Sequence, residues 1–234
     1  MKNPTKIFTY KEQNLFAEIS GDYNKIHLDK KVASRSIFGY PIVHGIHLVL
    51  WALEEEYYIA PFKKIKNLKA IFKHCVYIDE IVSLKRKQTN KKIEINLISR
   101  ERIVTTIILN VQKKYIPKFN IKINSSSPPF EEPLEMNIEK MEDYQGSLDL
   151  FLNNSKLKDL LPHITSRLPD YQIATIISTS KLVGNIIPGK NSLFTSLILK
   201  SKKYINTNKL SFNVSKIDKR LSLIHISEPT RLGA

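Results

Sequence analysis

Polar and apolar positions alternate briefly over Thr5 to Tyr10, which predicts a short first strand. Thr9 or Tyr10 then starts a helix, with Leu15, Phe16 and Ile19 at helical spacing. Ser20-Gly21-Asp22 ends it, because glycine suits the left-handed C-terminal position and Asp and Asn suit the following turn. Residues 23–42 read as an ordered loop with a short helical piece near Lys30 to Ser34, and Pro41 breaks any helix before Val43. From Val43 to about Tyr58 the pattern is a long, largely buried helix, apolar through Leu53, then acidic, and stopped by Pro61. Four Ile- and Val-rich runs follow: Lys69 to Tyr77, Ile81 to Lys87, Lys92 to Ser99 and Arg102 to Lys113. Thr89-Asn90-Lys91 and Ser99-Arg100-Glu101 read as hairpin connections. One sheet wrapped around one long helix buries both.

Asn124 to Pro133 (NSSSPPFEEP) reads as a linker. After it the plan recurs: a first strand at Met136 to Met141, a helix at Asn154 to Leu161, and a second helix from about Asp170 to Val183 ended by Gly184. Strand-like runs close it at Ser192 to Lys200 and Lys209 to Ile217. The expected fold class is α+β, an antiparallel sheet around a long central helix, built twice. A first domain covers 1–117, a linker 118–135, and a diverged, incomplete second domain 136–220.

Residues 221–231 (LSLIHISEPTR) equal the in-frame translation of a DNA string resembling the adapter of transposase-based sequencing libraries. The expectation is that 221–234 are an artefact, that the native C-terminus is missing, and that His225 and Glu228 have no role. The alternative is a natural strand followed by a proline turn.

The chain has 234 residues and 27.0 kDa, 42% hydrophobic and 25% charged, which excludes wholesale disorder and collagen-like repeats. One cysteine, Cys75, excludes a disulfide scaffold and a Cys-based zinc site and fits a reducing cytosol. The N-terminus lacks an apolar signal core, and the stretch Ile42 to Leu53 is too short to span a bilayer. The expected localisation is cytoplasmic. The net charge is +15, but of 37 basic residues seven are Arg and 30 are Lys, in a chain also rich in Ile and Asn. That bias is the mark of AT-rich codons. Lysine without arginine or interleaved aromatics is poor at specific phosphate or base recognition, although a positive surface does attract anionic substrates.

Asp22, Asn24 and His27 lie within six residues at a helix end. A carboxylate and an imidazole on one loop can share a water and exchange protons near neutral pH; plain turn chemistry is the alternative. Gly39-Tyr40-Pro41-Ile42-Val43-His44-Gly45 sets a helix N-terminus after a proline, where free N–H groups can hold a developing oxyanion. His44 and His47 lie one turn apart without an evident third metal ligand, so packed histidines are expected there; His74, His163 and Cys75 also read as structural.

Phe16, Ile19, Ser20-Gly21-Asp22, Asn24, Ile26, His27 and Ala33 together resemble the signature of the MaoC-like, or R-specific enoyl-CoA hydratase, family. Ile42 to Gly45 (IVHG) resembles the start of that family's central hot-dog helix. Phe72 to Val82 is similar to its next strand, with Asp79-Glu80 where Gly-Asp is common. Lys25 stands where the family has a proline that would stiffen the loop. The resemblance is good over 5–113 and fainter over 136–220, where no second Asp/His pair occurs. It implies a double hot-dog fold and reversible hydration of a trans-2-enoyl thioester, on CoA or an acyl carrier protein, to a 3-hydroxyacyl thioester. Asp22 and His27 would hold and deprotonate the water, Asn24 would orient the loop or the histidine, and the Gly45 N–H would stabilise the enolate. Ile42, Val43 and His44 are the candidate pocket residues. The resemblance implies no metal and no cofactor, no nucleic acid, no membrane span, and is compatible with a homodimer of double hot dogs. The rivals are a hot-dog thioesterase, a non-catalytic acyl- or carrier-binding module, and, from the charge alone, nucleic-acid binding.

Overall fold

The computed structural model describes residues 3–89, 92–114, 121–165, 167–201, 207–218 and 223–227. The first half runs β1 (Thr5–Ile7), α1 (Tyr10–Ser20), α2 (Lys25–Leu28), α3 (Lys30–Ser34), α4 (Gly45–Ile59), β2 (Lys64–Phe72), β3 (Ile81–Gln88), β4 (Ile93–Ser99) and β5 (Arg102–Gln112). The second runs α5 (Ile138–Met141), β6 (Gln145–Asp149), α6 (Asn154–Leu160), α7 (Asp170–Lys181), a π-helical turn at Leu182–Ile186, β7 (Ser196–Lys200), β8 (Lys209–Asp218) and β9 (Leu223–Ser227).

Local chemistry sets the first turn of α1. Thr9 Oγ1 accepts from the Glu12 N–H at 3.2 Å and Glu12 Oε2 accepts from the Thr9 N–H at 2.8 Å, a reciprocal cap that fixes the start at Tyr10. Gly21 ends the helix at φ 75, as expected. The long helix α4 is buried from Ile46 through Glu54 because the first sheet wraps one side and α7 packs on another. Strand β4 alternates strictly, sending Ile93, Ile95 and Leu97 into the core that also holds Leu50 and Leu53.

The main sheet has the order β1-β3-β4-β5-β2-β7, every pair antiparallel. Its last strand comes from the second half: Leu68 lies opposite Leu199 and Ala70 opposite Leu197. The two halves therefore share a sheet. A second sheet has the order β6-β8-β9, repeating β1-β3-β4, and β7 follows α7 as β2 follows α4. Among the described residues no strand takes the place of β5 between β9 and β7.

Several expectations are corrected. Met136 to Met141 is not a strand: Ile138–Met141 forms one helical turn, and the first strand of the second half is Gln145–Asp149. The pattern misleads because Met136, Ile138 and Met141 suit either element. Gly184 does not end α7; the chain continues through the π-helical turn. Asn90 and Lys91 lie outside the described residues, but Arg100 and Glu101 form the expected tight hairpin with φ 48 and 61. Asp79 takes φ 68, a backbone that Asp tolerates better than most residues. Leu223–Ser227 pairs antiparallel with β8, as an alternating apolar segment does beside an open sheet edge, whatever its origin.

Two carboxylates of α4 are anchored at depth. Glu54 accepts from the His163 N–H at 2.6 Å and the Ile164 N–H at 2.9 Å, joining α4 to the second half. Glu56, fully buried, receives Arg86 through Nε at 2.5 Å and Nη2 at 2.9 Å. Arg86→Met leaves that carboxylate buried and unpaired, and is expected to cost about 3 kcal/mol in urea unfolding. Adding Glu56→Leu should recover most of it, since replacing both partners removes the orphaned charge.

Candidate active site

The loop after α1 delivers Asp22 to the interior. Ser20 Oγ accepts from the Asp22 N–H at 3.1 Å, and the Asp22 carboxylate accepts from the Asn24 N–H at 3.2 Å. Asn24 precedes the first turn of α2, and that short helix turns His27 inward. Asp22 is 3% exposed and His27 5%. His27 Nδ1 donates to the Ile42 carbonyl at 2.8 Å, which assigns the proton to Nδ1 and leaves Nε2 as the basic nitrogen. Ile42 is thus a backbone partner of the histidine. It is buried, as are Val43 and His44.

Burial dominates the titration of both groups. It raises the Asp22 carboxyl above the ordinary aspartate range, against opposing pulls from His27, Ser180 and the Asn24 N–H. It lowers His27, against Asp22 and the Ile42 carbonyl. His44 stacks on His27 with ring centroids 3.9 Å apart and 27° between planes. Gln13 Oε1 is oriented by the His44 N–H at 3.1 Å and faces His44 Nδ1 at 2.9 Å, while His44 Nε2 lies 3.2 Å from the Asp22 carbonyl oxygen. Two carbonyls favour the imidazolium, but burial and then His27 hold His44 well below its ordinary pKa. A neutral ring donates through only one nitrogen. His47 bonds Gln13 Nε2 at 3.1 Å and is pushed down to about 3, first by burial and then by Lys6.

The structure groups His44 with Asp22 and His27 rather than with His47. The three offer ligand atoms within 4.8 Å of one another. The His27 and His44 rings are stacked, so their in-plane lone pairs run side by side instead of converging as metal coordination requires. Gly45 is the first residue of α4, so its N–H is one of the donors left without an intrahelical partner. A Cβ at Gly45 would meet the Phe72 ring at 3.0 Å.

From the sequence the second half is expected to pack against the first and help form the acyl tunnel; the residues it places beside Asp22 are ones sequence reasoning did not name. Ser180 Oγ, from α7, donates to Asp22 Oδ2 at 2.7 Å. A Cβ at Gly184 would stand 2.1 Å from Asp22 Oδ1, so the π-helical turn must carry glycine for the carboxylate to fit. Asn185 Oδ1 accepts from the Tyr23 N–H at 2.9 Å, and Asn24 Oδ1 accepts from the Asn191 N–H at 3.4 Å. The Asn24 side chain therefore pins the loop to the second half, and Asn24 meets His27 through its backbone carbonyl, which accepts from the His27 N–H at 3.0 Å. The only signal for Ser180 and Gly184 in the sequence is their spacing of four, which places two small residues on one face of a buried helix. A cavity of about 210 Å³ lies beside the loop, lined by Ser20, Pro128, Phe151, Ile177, Ser178 and Lys181 among others. Ile42, Val43 and His44 do not line it. No described helix is long and apolar enough to cross a membrane.

Residues 2–108 match the family model described as MaoC like domain. No curated protein matches the sequence. The chain is similar to a solved structure described as a MaoC-like dehydratase, at 9% identity over 94% of this chain and 88% of that one, TM-score 0.61. It is similar to a Mycobacterium tuberculosis protein described as having a double hotdog fold, at 12% identity over 91% and 81%, TM-score 0.62. Its first half is similar to an (R)-hydratase from A. caviae involved in PHA biosynthesis, at 23% identity over 48% and 93%, TM-score 0.38. The two likenesses that span the chain carry the fold: mixed α and β, with antiparallel sheets in two hot-dog units.

Proposed function

We propose that this chain, whose residues 2–108 are a MaoC-like domain, is a hydratase/dehydratase that adds water reversibly to a trans-2-enoyl thioester. The observation that carries the reading is the buried Asp22–His27 pair, with the histidine proton committed to Ile42 and the carboxylate held by Ser180. A water held by both groups has an acceptor in His27 Nε2 and in the carboxylate. It attacks C3 as its proton passes to the pair, and the pair returns one proton to C2. The thioester oxygen gains charge in between, and the Gly45 N–H at the start of α4 is the donor that meets it. Asn24 holds the loop still while this happens. Asp22, His27, Asn24 and Gly45 are the site residues of this reading, and it calls on no metal or cofactor.

Turnover of an enoyl-CoA in ¹⁸O-labelled water, read by mass spectrometry, tests it. Label is expected in the 3-hydroxyl group of the thioester. Label in a released carboxylate instead would mark a thioesterase and contradict the reading.

Ser180→Ala removes one donor to the Asp22 carboxylate, and so raises its pKa further. Activity that needs the ionised carboxylate falls as pH drops through that pKa. The acid limb of the kcat/KM profile is therefore expected to move to higher pH, with the alkaline limb unchanged.

A further inference from the structure

Residues 128–135 (PPFEEPLE) form a strap over the catalytic loop. A Cβ on Gly21 would stand 2.8 Å from Pro128 Cγ, and the Phe130 ring packs edge-on against Tyr23 at 4.7 Å. The Glu131 carbonyl accepts from Asn185 Nδ2 at 2.7 Å. Its carboxylate lies 3.0 Å from Lys181 Nζ, and that of Glu132 lies 3.3 Å from Lys25 Nζ. Beneath the strap Asp22 and His27 are nearly closed to solvent, so a thioester reaches them only if something moves. The strap is the economical candidate: Phe130 is 60% exposed and both glutamates are at least half exposed.

Lys25 and Lys181 flank the loop that carries Asp22, one at the start of α2 and one at the end of α7. Each is held by a strap glutamate. We propose that these two lysines are a binding pair for the phosphates on the handle of the thioester substrate, and that Glu131 and Glu132 occupy them until the substrate displaces the strap. This rests on the acyl-thioester reading above. An exposed Lys–Glu pair is weak, and a phosphate offers more charge and more acceptor oxygens to the same ammonium than a carboxylate does. The exchange also accounts for Lys25: a proline there would stiffen the loop but hold no anion.

Calorimetric binding of CoA, 4′-phosphopantetheine and pantetheine to the whole chain tests this without turnover. The double variant Glu131→Gln/Glu132→Gln is expected to bind CoA about fivefold more tightly, because both lysines lose the carboxylates that compete with the phosphates. Pantetheine, which has no phosphate, should not respond. Lys25→Met should weaken CoA by a similar factor, and the difference should shrink with added salt. Because Lys181 is buried, Lys25→Met is the safer probe of the cation pair. A gain for 4′-phosphopantetheine as large as for CoA assigns the pair to the phosphate that carrier proteins share; a gain confined to CoA assigns it to the nucleotide phosphates. Unchanged or weaker CoA binding in the double variant, an equal gain for pantetheine, or no CoA binding in any folded variant overturns the proposal. Loss of the hydratase reading would show separately, as absent turnover with these binding differences intact.

Discussion

Asp22→Asn is expected to lower turnover of an enoyl thioester by between about a hundred- and ten-thousand-fold, the range for removing a positioned acid or base. Stability should not fall with it. The amide oxygen can still accept from the Asn24 N–H or Ser180. Burial is the largest influence on the Asp22 carboxylate and disfavours its charge, so the neutral amide is cheaper to bury. The expected pair of results is lost activity with an unchanged or higher melting temperature. A residue kept for structure alone would give the reverse, a lower melting temperature with activity in proportion to the folded fraction.

Gly184→Ala is the second large effect, and it comes from the half of the chain that carries no catalytic motif. The added methyl would stand 2.1 Å from Asp22 Oδ1 and 2.5 Å from Cγ, so the carboxylate or the π-helical turn must shift. Overpacking of this kind costs about 1–3 kcal/mol, measurable as a lower urea midpoint. Turnover should fall much further than that loss implies, because the displaced carboxylate is the group proposed to hold the attacking water. Glycine is needed here for space: among the described glycines positive φ is confined to Gly21, Gly39 and Gly189, so Gly184 lies outside the left-handed region. If Gly184 merely ended α7, alanine would leave kcat unchanged.

Local signals carried the first half. Thr9 and Glu12 mark the start of α1, Gly21 its end, and the alternation in Ile93 to Ser99 a strand with one face buried. Asp22, Asn24 and His27 lie within six consecutive residues, so their proximity is written in the chain itself, and the resemblance gave them roles. Ser180 lies 158 residues from Asp22, and its hydroxyl has no local feature that points there. Gly184 resembled a helix terminator because a glycine after a helical run usually is one. The sharing of a sheet through β2 and β7 was equally hidden, since both strands show the pattern of any half-buried strand and pairing is set by the packing of two domains. In the second half the short, mixed pattern of Met136 to Met141 allowed a strand where the structure has a helical turn. Lys25 was legible as a departure, and its ion pair with Glu132 only in three dimensions.

An Asp22–His27 pair that hydrates an enoyl thioester, as proposed, consumes the conjugated double bond. The most direct test is the loss of conjugated-thioester absorbance when the folded protein meets short trans-2-enoyl-CoA substrates, beside Asp22→Asn. Steady loss is expected with the parent chain and almost none with the variant. No loss at any chain length, from protein shown to be folded by a cooperative melt, would contradict it and leave a binding module as the role of this fold.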